Sequence, residues 1–166
     1  MSLKKSTTIL GIDPGYGIVG FGVIEMRDNH PFHVTHGVIT TPAKMELIDR
    51  IKIITQDLQD IIIKYNPDAV VLEKLFFANN QKTAIDVGQA RGAMLGVIST
   101  CNLPIIELTP LQVKQGITSY GKADKKQIQS MVQKILKLKS IPKPDDAADA
   151  LAIAITGSGL VARVTR

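Results

Sequence analysis

The chain has little cysteine, few aromatic residues and no long apolar run. Its 166 residues include one cysteine and no tryptophan, and aromatic residues make up 4%. A lone cysteine, Cys101, excludes an internal disulfide and favours the reducing cytosol. No uncharged apolar stretch reaches about 18 residues, which excludes a membrane-spanning helix. We therefore predict that the protein does not act at a membrane. The N-terminus has two lysines but no cleavable apolar segment, so we predict a cytoplasmic protein without a secretion signal.

The composition is that of one folded domain. Hydrophobic residues make up 45% of the chain and charged residues 21%, which excludes wholesale disorder. A chain of this length falls within the range of about 100–200 residues expected for a single domain with its own core. No repeat, low-complexity tract or linker divides the sequence. We therefore predict a single domain over residues 1–166.

Positive charge is in modest excess and unevenly distributed. The chain has 20 basic and 15 acidic residues, a net charge of +5. The stretch from Lys114 to Lys139 is rich in lysine and contains one acid, Asp124. Such a run is either a solvated helical face or a surface that contacts a polyanion such as nucleic acid. Composition alone leaves both interpretations open.

The first third of the chain predicts an antiparallel meander. Apolar runs bounded by turn residues indicate strands at Thr7–Asp13, Gly20–Met26 and Val34–Thr40. The second and third are joined by the turn-rich segment Arg27–Pro31. Thr41-Pro42 then has the capping hydroxyl and first-turn proline typical of a helix start.

The remainder alternates helices with short apolar strands. Strands are predicted at Ala69–Glu73 and Ile105–Leu108, and helices at Gln81–Thr100, Lys122–Leu138 and Asp145–Thr156. Right-handed strand–helix–strand crossovers require parallel pairing. We therefore predict an α/β fold whose mixed five-stranded sheet has three antiparallel strands, then parallel additions, with helices on both faces. Gly88, Gly92 and Gly96 predict that one helix face packs closely on the sheet.

Acidic residues occur at the ends of two predicted strands and on one helical turn. Asp13 ends the first strand, Glu73 ends the fourth, and Asp146 and Asp149 lie three residues apart at a helix start. An aspartate before Pro-Gly is often a turn residue, and acids in a first helical turn often act as caps. Glu73 is harder to explain structurally, because buried strands rarely contain acids. Their joint occurrence beside a basic helix favours a functional site.

Four converging carboxylates would repel one another unless a cation lay between them. All-oxygen ligands favour Mg²⁺ or Mn²⁺. Two such ions, about 4 Å apart, can activate a water and stabilise the leaving oxygen of a phosphodiester. The acids therefore favour a site for a divalent cation, and phosphodiester hydrolysis is one reaction that such a site can support.

Five segments occur in an order that resembles a known family. They closely resemble motifs of the RuvC family, the bacterial Holliday-junction resolvases of the RNase H-like nuclease superfamily, and the resemblance extends from about Thr8 to Thr156. The segments are Gly11-Ile12-Asp13-Pro14-Gly15, then Leu72-Glu73 with Phe76-Phe77 and Asn80, then Gly88-Gln89-Ala90-Arg91-Gly92, then Val113-Lys114-Gln115, and finally Asp146-Ala147-Ala148-Asp149-Ala150-Leu151-Ala152-Ile153-Ala154.

The resemblance implies a homodimer that cuts two strands of a four-way DNA junction with Mg²⁺, in recombination and repair. It also implies the RuvA–RuvB branch-migration complex as a partner. Matched position by position, the catalytic and metal-binding acids are Asp13, Glu73, Asp146 and Asp149, with Asp145 an extra neighbour. The resemblance further implies DNA contacts by Lys114, Lys125 and the aromatic Phe76.

Three positions depart from the family pattern. Lys74 stands where a neutral or acidic residue is usual, Asn79 replaces a usually basic residue, and Ser119 occupies a position where glycine is common. All three fall in segments expected to face DNA, so they bear on sequence preference rather than on catalysis.

Two other functions remain open on sequence grounds. One is a non-catalytic nucleic-acid-binding module of the same fold, although such a module gains nothing from converging negative charges. The other is a fragment of an actin-like ATPase, because the strand ending in Asp13 and glycine resembles a first phosphate loop. That class needs a second loop and a second domain.

Two symmetric cuts need two cutting centres, and one domain carries one acid cluster. A two-fold dimer would supply both. The predicted helix Gln81–Thr100 offers a candidate surface of small residues and apolars, although packing on its own sheet is an equally good explanation. The residues concerned are Gly88, Ala90, Gly92, Ala93, Gly96, Met94, Leu95 and Ile98.

Overall fold

The computed structural model describes residues 6–75 and 81–164. In these residues the chain forms five strands and five helices in the order βββαβαβααα. The strands are β1 (Thr7–Asp13), β2 (Ile18–Arg27), β3 (His30–Thr40), β4 (Ala69–Glu73) and β5 (Ile105–Leu108). The helices are α1 (Leu47–Tyr65), α2 (Gln81–Thr100), α3 (Pro110–Thr118), α4 (Lys125–Ile135) and α5 (Asp145–Val164). In the described segments, no helix is both long and apolar enough to cross a membrane.

The strands form one mixed sheet in the order β3-β2-β1-β4-β5. β1, β2 and β3 pair antiparallel, and β4 and β5 are added in parallel on the other side of β1. The predicted three antiparallel strands followed by parallel additions are confirmed. The central position of β1 places its carboxyl end beside that of β4.

Two apolar layers cover the two faces of the sheet. Along β1, Ile9 contributes to one layer, and Leu10 and Ile12 contribute to the other, because successive strand residues point to opposite faces. The first layer packs against α3, α4 and α5, and the second against α1 and α2. Helices on both faces were predicted, and this is confirmed.

Several element boundaries differ from the sequence prediction. The β2–β3 hairpin closes over Asp28 and Asn29 alone, both with positive φ (49° and 63°), so the strands are longer than predicted. Thr41-Pro42 starts no helix: the Thr41 hydroxyl donates a hydrogen bond to the Tyr16 carbonyl at 2.6 Å, and α1 begins at Leu47. The hydroxyl serves tertiary structure rather than a cap.

The glycines that allow close packing are not those on α2. Among residues 6–75 and 81–164, a Cβ added at Gly88, Gly92 or Gly96 would meet nothing within 4 Å, so the predicted packing of this face on the sheet is wrong. α2 instead packs through a buried stripe on its opposite side, formed by Ala90, Met94 and Ile98.

The close approach occurs between the sheet and α5. A Cβ on Gly11 would overlap the backbone of Ala150, and one on Gly20 would overlap the backbone of Asp146. One on Gly22 would press on Leu151. Because these strand positions lack side chains, α5 lies directly on β1 and β2.

Ser119 ends α3 in the left-handed conformation, with φ 57°. This conformation is unfavourable for residues with a Cβ and favours glycine. The departure from the family glycine therefore has a structural consequence, because serine terminates the helix at a small cost in stability.

Candidate active site

Asp13 and Glu73 end neighbouring parallel strands. Ile12 of β1 is in register with Leu72 of β4, so the next residue of each strand emerges at the same edge of the sheet. The strands are buried up to these positions. The sheet topology therefore brings two predicted acids side by side.

Helix α5 adds two more acids from above the sheet. Asp146 lies in its first turn, over Gly20 of β2, and Gly20 pairs with Asp13. Asp149 follows one turn later and borders the same cleft as Asp13 and Glu73. Asp146 does not border the cleft among the described residues, but its charge acts on Asp13. The structure thus groups all four predicted acids at one end of the sheet.

Burial and mutual repulsion raise the pKa values of these carboxyls. Burial, then the charges of Glu73, Asp149 and Asp146, raise the pKa of Asp13 from 3.8 to about 8. Burial, then the charge of Asp149, raise the pKa of Glu73 from 4.5 to about 7. Burial is also the largest cause of the raised pKa of Asp149. Without a cation, the cluster therefore retains protons near neutral pH.

Two lysines border the acids. A cleft of about 240 Å³ is lined by Asp13, Glu73 and Asp149. Lys114 of α3 and Lys125 of α4 line it as well. The charge of Lys114 lowers the pKa of Glu73, against the effect of burial. Lys125 Nζ lies 3.2 Å from Asp149 Oδ2. Asp124 also borders the cleft, but its carboxylate accepts the Gln127 N–H at 2.8 Å and caps α4.

Sequence reasoning assigned no role to an arginine that supports the site. Arg91 of α2 forms an ion pair with Glu107 of β5, and its Nε donates to the Glu73 carbonyl at 3.4 Å. It therefore ties α2 to the carboxyl ends of β4 and β5. Its position in the motif Gly88-Gln89-Ala90-Arg91-Gly92, one of the five segments that carry the family resemblance, was the available signal.

Some predicted positions lie outside the described residues. Phe76, Phe77, Asn79 and Asn80 belong to this group, so the predicted DNA contact by Phe76 stays a prediction. Lys74 lies within the described residues and is exposed. Its backbone N–H donates a hydrogen bond to the Leu108 carbonyl at 2.8 Å. This bond extends the β4–β5 pairing by one residue beyond Glu73.

The donor set fits a hard divalent cation. Asp13, Glu73 and Asp149 offer carboxylate oxygens at one cleft, and a cation would relieve the repulsion that raises their pKa values. In residues 6–75 and 81–164, no three Asp, Glu, His or Cys side chains enclose a metal site by themselves. Mg²⁺ commonly uses one or two carboxylates and completes its shell with waters and substrate phosphates, so an open cleft of carboxylates suits it.

The raised pKa values predict that the cation-free protein loses stability as the pH rises. A carboxyl with a higher pKa in the folded protein binds more protons when folded, so its stabilising contribution is lost as the pH rises through the folded pKa. For Asp13 the window runs from 3.8 to about 8. We expect the free energy of unfolding to fall by up to about 1.4 kcal/mol per pH unit for one such proton.

Urea unfolding in chelator between about pH 7 and pH 8 measures this slope. Burial lowers the pKa values of His33 and His36 below 6.5, so these groups have the opposite effect at lower pH and contribute little in the chosen interval. Asp13→Asn should remove most of the slope. Equal slopes in the two proteins would show that Asp13 does not hold the proton.

The sequence resembles a characterised nuclease family over most of its length. The sequence profile of the family described as crossover junction endodeoxyribonuclease RuvC matches residues 9–157. A protein of that name from Thermosipho melanesiensis is 53% identical over 146 residues, covering 88% of this chain and 93% of the relative. One from Halothermothrix orenii is 56% identical over 147 residues, covering 89% of each.

Solved structures show the same fold. Thermus thermophilus RuvC in complex with Holliday junction substrate has a TM-score of 0.88 and 32% identity, covering 96% of this chain and 97% of that chain. The yeast mitochondrial Holliday junction resolvase has a TM-score of 0.68 at 14% identity, covering 94% of this chain and 79% of that chain, and supports the fold alone. The predicted RNase H-like fold is confirmed. The chain belongs to the RuvC family of crossover junction endodeoxyribonucleases.

Proposed function

We propose that the protein is a metal-dependent endonuclease that resolves four-way DNA junctions by cutting two symmetry-related strands. Family membership supports the activity, and the related Thermus thermophilus protein has been described in complex with a Holliday junction. The single observation that carries the proposal is the convergence of three buried or half-buried carboxylates at one lysine-bordered cleft.

Asp13, Glu73, Asp146 and Asp149 are the proposed catalytic and metal-binding residues. We propose Mg²⁺ as the ion, with two ions per site and with Mn²⁺ able to substitute. When bound there, such ions would activate a water and stabilise the leaving oxygen of the phosphodiester. The protein's own contribution is to hold these carboxylates at rigid positions, two at strand ends and two on α5, and to release their protons when a cation binds.

Lys114 and Lys125 are the proposed contacts to DNA phosphates, and Phe76 is the proposed contact to a base. Both lysines border the cleft, so a phosphate bound at the acids would lie within their electrostatic range. Lys114 lies in the middle of α3 (Pro110–Thr118) and borders the cleft.

The lysines predict a measurable change in salt dependence. Lys114→Ala or Lys125→Ala should reduce the slope of log affinity against log salt by about one unit per lost phosphate contact. Cleavage should also fall, because each lysine can stabilise charge at the scissile group. Junction binding at several salt concentrations measures the slope, and Lys52→Ala on the exposed side of α1 is the matched control. Unchanged slopes with full activity would make both lysines ordinary solvated surface.

We also propose that the active form is a two-fold homodimer. Ala90, Met94 and Ile98 are buried in the protein's own core. They are therefore excluded from the candidate dimer surface on α2. The exposed face of that helix instead carries Gly92, whose Cβ position has no neighbour within 4 Å in the described part of the chain, and Ile85, which is 69% exposed. Small residues there would let two helices approach closely.

A bulky charge on this face should separate the dimer. Gly92→Arg places a long cation at a position with free space and also improves helix propensity, so the domain should stay folded. Sedimentation at micromolar concentration should show a dimer for the natural chain and a monomer for this variant. Gln59→Arg on α1 is the control and should stay dimeric. A natural chain that is monomeric with and without junction DNA, yet cuts both strands in one encounter, would contradict the two-fold arrangement.

Two further parts of the proposal do not rest on the geometry of the site. They are the RuvA–RuvB branch-migration complex as a partner, and a cytoplasmic location. Coupled branch migration and cleavage, measured with and without RuvA–RuvB, would test the first.

Cleavage of a synthetic four-way junction tests the proposed function directly. With Mg²⁺, we expect symmetric nicks in two opposed strands, no cleavage of the matched linear duplex, and no cleavage in chelator. Mn²⁺ should restore activity. Junction binding without cleavage would favour the non-catalytic module, and ATP hydrolysis without cleavage would favour the ATPase alternative.

A further inference from the structure

We infer that Asp145 is a positioning residue that sets how strongly the Lys125 ammonium competes with a metal cation for Asp149. This inference rests on the proposed function, in which Asp149 is a metal ligand. Asp145 itself does not border the cleft in the described part of the chain. Its influence would act through Lys125.

The ammonium of Lys125 lies between two carboxylates. Its Nζ is 3.2 Å from Asp149 Oδ2 and 3.4 Å from Asp145 Oδ2. The two aspartates are four residues apart on α5, hence on one face of that helix. Lys125 opens α4 and reaches across to both. One cation is therefore shared between a proposed metal ligand and its neighbour.

The carboxylate of Asp145 is fixed from a second direction. Gln129 Nε2 donates to Asp145 Oδ1 at 3.0 Å, while Lys125 contacts the other oxygen. Gln129 follows Lys125 by one turn of α4 and is only 9% exposed. Because a nearly buried amide holds one oxygen, the other points toward the lysine. Asp145 is thus oriented even though its own side chain is 58% exposed.

Asp145 therefore competes with Asp149 for the ammonium of Lys125. An ammonium close to Asp149 repels a divalent cation that needs the same oxygen. The side chains of Lys125 and Asp149 are 51% and 31% exposed, and ion pairs this exposed are weak. Lys125 can therefore leave Asp149 easily, provided that another partner receives it. Asp145 is that partner, and its loss would leave Lys125 more closely paired with Asp149.

Mn²⁺ binding to the DNA-free protein, followed by electron paramagnetic resonance, tests the inference. Asp145→Asn should weaken Mn²⁺ binding in two ways, by removing a negative charge and by shifting Lys125 toward Asp149. In the Lys125→Met background only the first effect remains. The loss of affinity should therefore be about 2–5-fold larger with Lys125 present.

Gln129→Leu tests the orientation of the Asp145 carboxylate separately from its charge. It removes the hydrogen bond to Asp145 without changing any charge, and it should weaken Mn²⁺ binding with Lys125 present but not in the Lys125→Met background. The Asp145 side chain is 58% exposed at the start of α5, and asparagine has nearly the same size and shape, so Asp145→Asn should fold normally. If Asp145 only stabilised the start of α5, Asp145→Asn would lower the Mn²⁺ affinity by the same factor with Lys125 present and in the Lys125→Met background.

The outcomes distinguish this inference from the proposed function. If Asp13→Asn abolishes Mn²⁺ binding but Asp145→Asn has the same effect with and without Lys125, the metal site stands and the positioning role of Asp145 is overturned. If Mn²⁺ binding does not respond to Asp13→Asn, the metal site fails, and the role of Asp145 fails with it. The Mg²⁺ concentration for half-maximal cleavage should follow the same order among the variants.

Discussion

Asp13→Asn, Glu73→Gln, Asp146→Asn and Asp149→Asn are each expected to abolish junction cleavage while leaving junction binding unchanged or tighter. Each change removes a proposed metal ligand but also removes negative charge near DNA phosphates. We expect single-turnover cleavage to fall by about 100–1,000-fold or more, which is the scale of losing one preorganised electrostatic contact to the reacting group.

Single-turnover cleavage and junction binding should be measured on the same samples. Asp60→Asn removes a carboxylate from the exposed side of α1 and is the matched control, with cleavage at the natural rate. Loss of both binding and cleavage would indicate misfolding rather than loss of a ligand. Cleavage at the natural rate by any one variant would remove that residue from the proposed site.

Gly20→Ala is expected to reduce both stability and cleavage. A Cβ at this position would overlap the carbonyl group of Asp146, which is backbone in the first turn of α5 and cannot move without the helix. Overpacking of this kind costs about 1–3 kcal/mol and sometimes more. The helix should shift away from β2, and Asp146 and Asp149 would then move relative to Asp13. We expect a loss of about 3 kcal/mol in the free energy of unfolding.

Urea unfolding and junction cleavage measure the two effects. Gly159→Ala is a control within the same helix, because its Cβ would meet no described residue within 4 Å. That substitution should stabilise the protein by about 0.5–1 kcal/mol through helix propensity. A Gly20→Ala protein as stable and active as the natural chain would show that α5 does not lie directly on β2.

Local patterns in the sequence were sufficient for the two strands that end in acids. The all-apolar run from Ala69 and its abrupt end at Glu73 predicted β4 with its observed bounds, as Thr7–Asp13 did for β1. Residues 69–72 are buried in the structure, and a strand covered on both faces has a short continuous apolar run in its sequence, which a few neighbouring residues are enough to show. The three-residue spacing of Asp146 and Asp149 fixes their common helix face for the same local reason.

Contacts between distant segments could not be predicted in this way. Glycine every four residues on α2 indicated close packing, but no described residue packs within 4 Å of that face, whereas Gly11 and Gly20 lie under α5. A missing side chain permits close approach without specifying the neighbour. Likewise Thr41-Pro42 has a helix-start pattern, yet the Thr41 hydroxyl bonds to the Tyr16 carbonyl, 25 residues away.

The sequence by itself determined which residues are acids at strand and helix ends, because hydrophobic periodicity and helix geometry act over a few neighbouring residues. Only the tertiary structure decided that Lys125 lies between Asp145 and Asp149 and that Arg91 reaches the Glu73 carbonyl. It also decided how far burial raises the pKa of Asp13. These properties depend on the distance and exposure of groups far apart in the chain, and such quantities exist only once the helices have packed on the sheet.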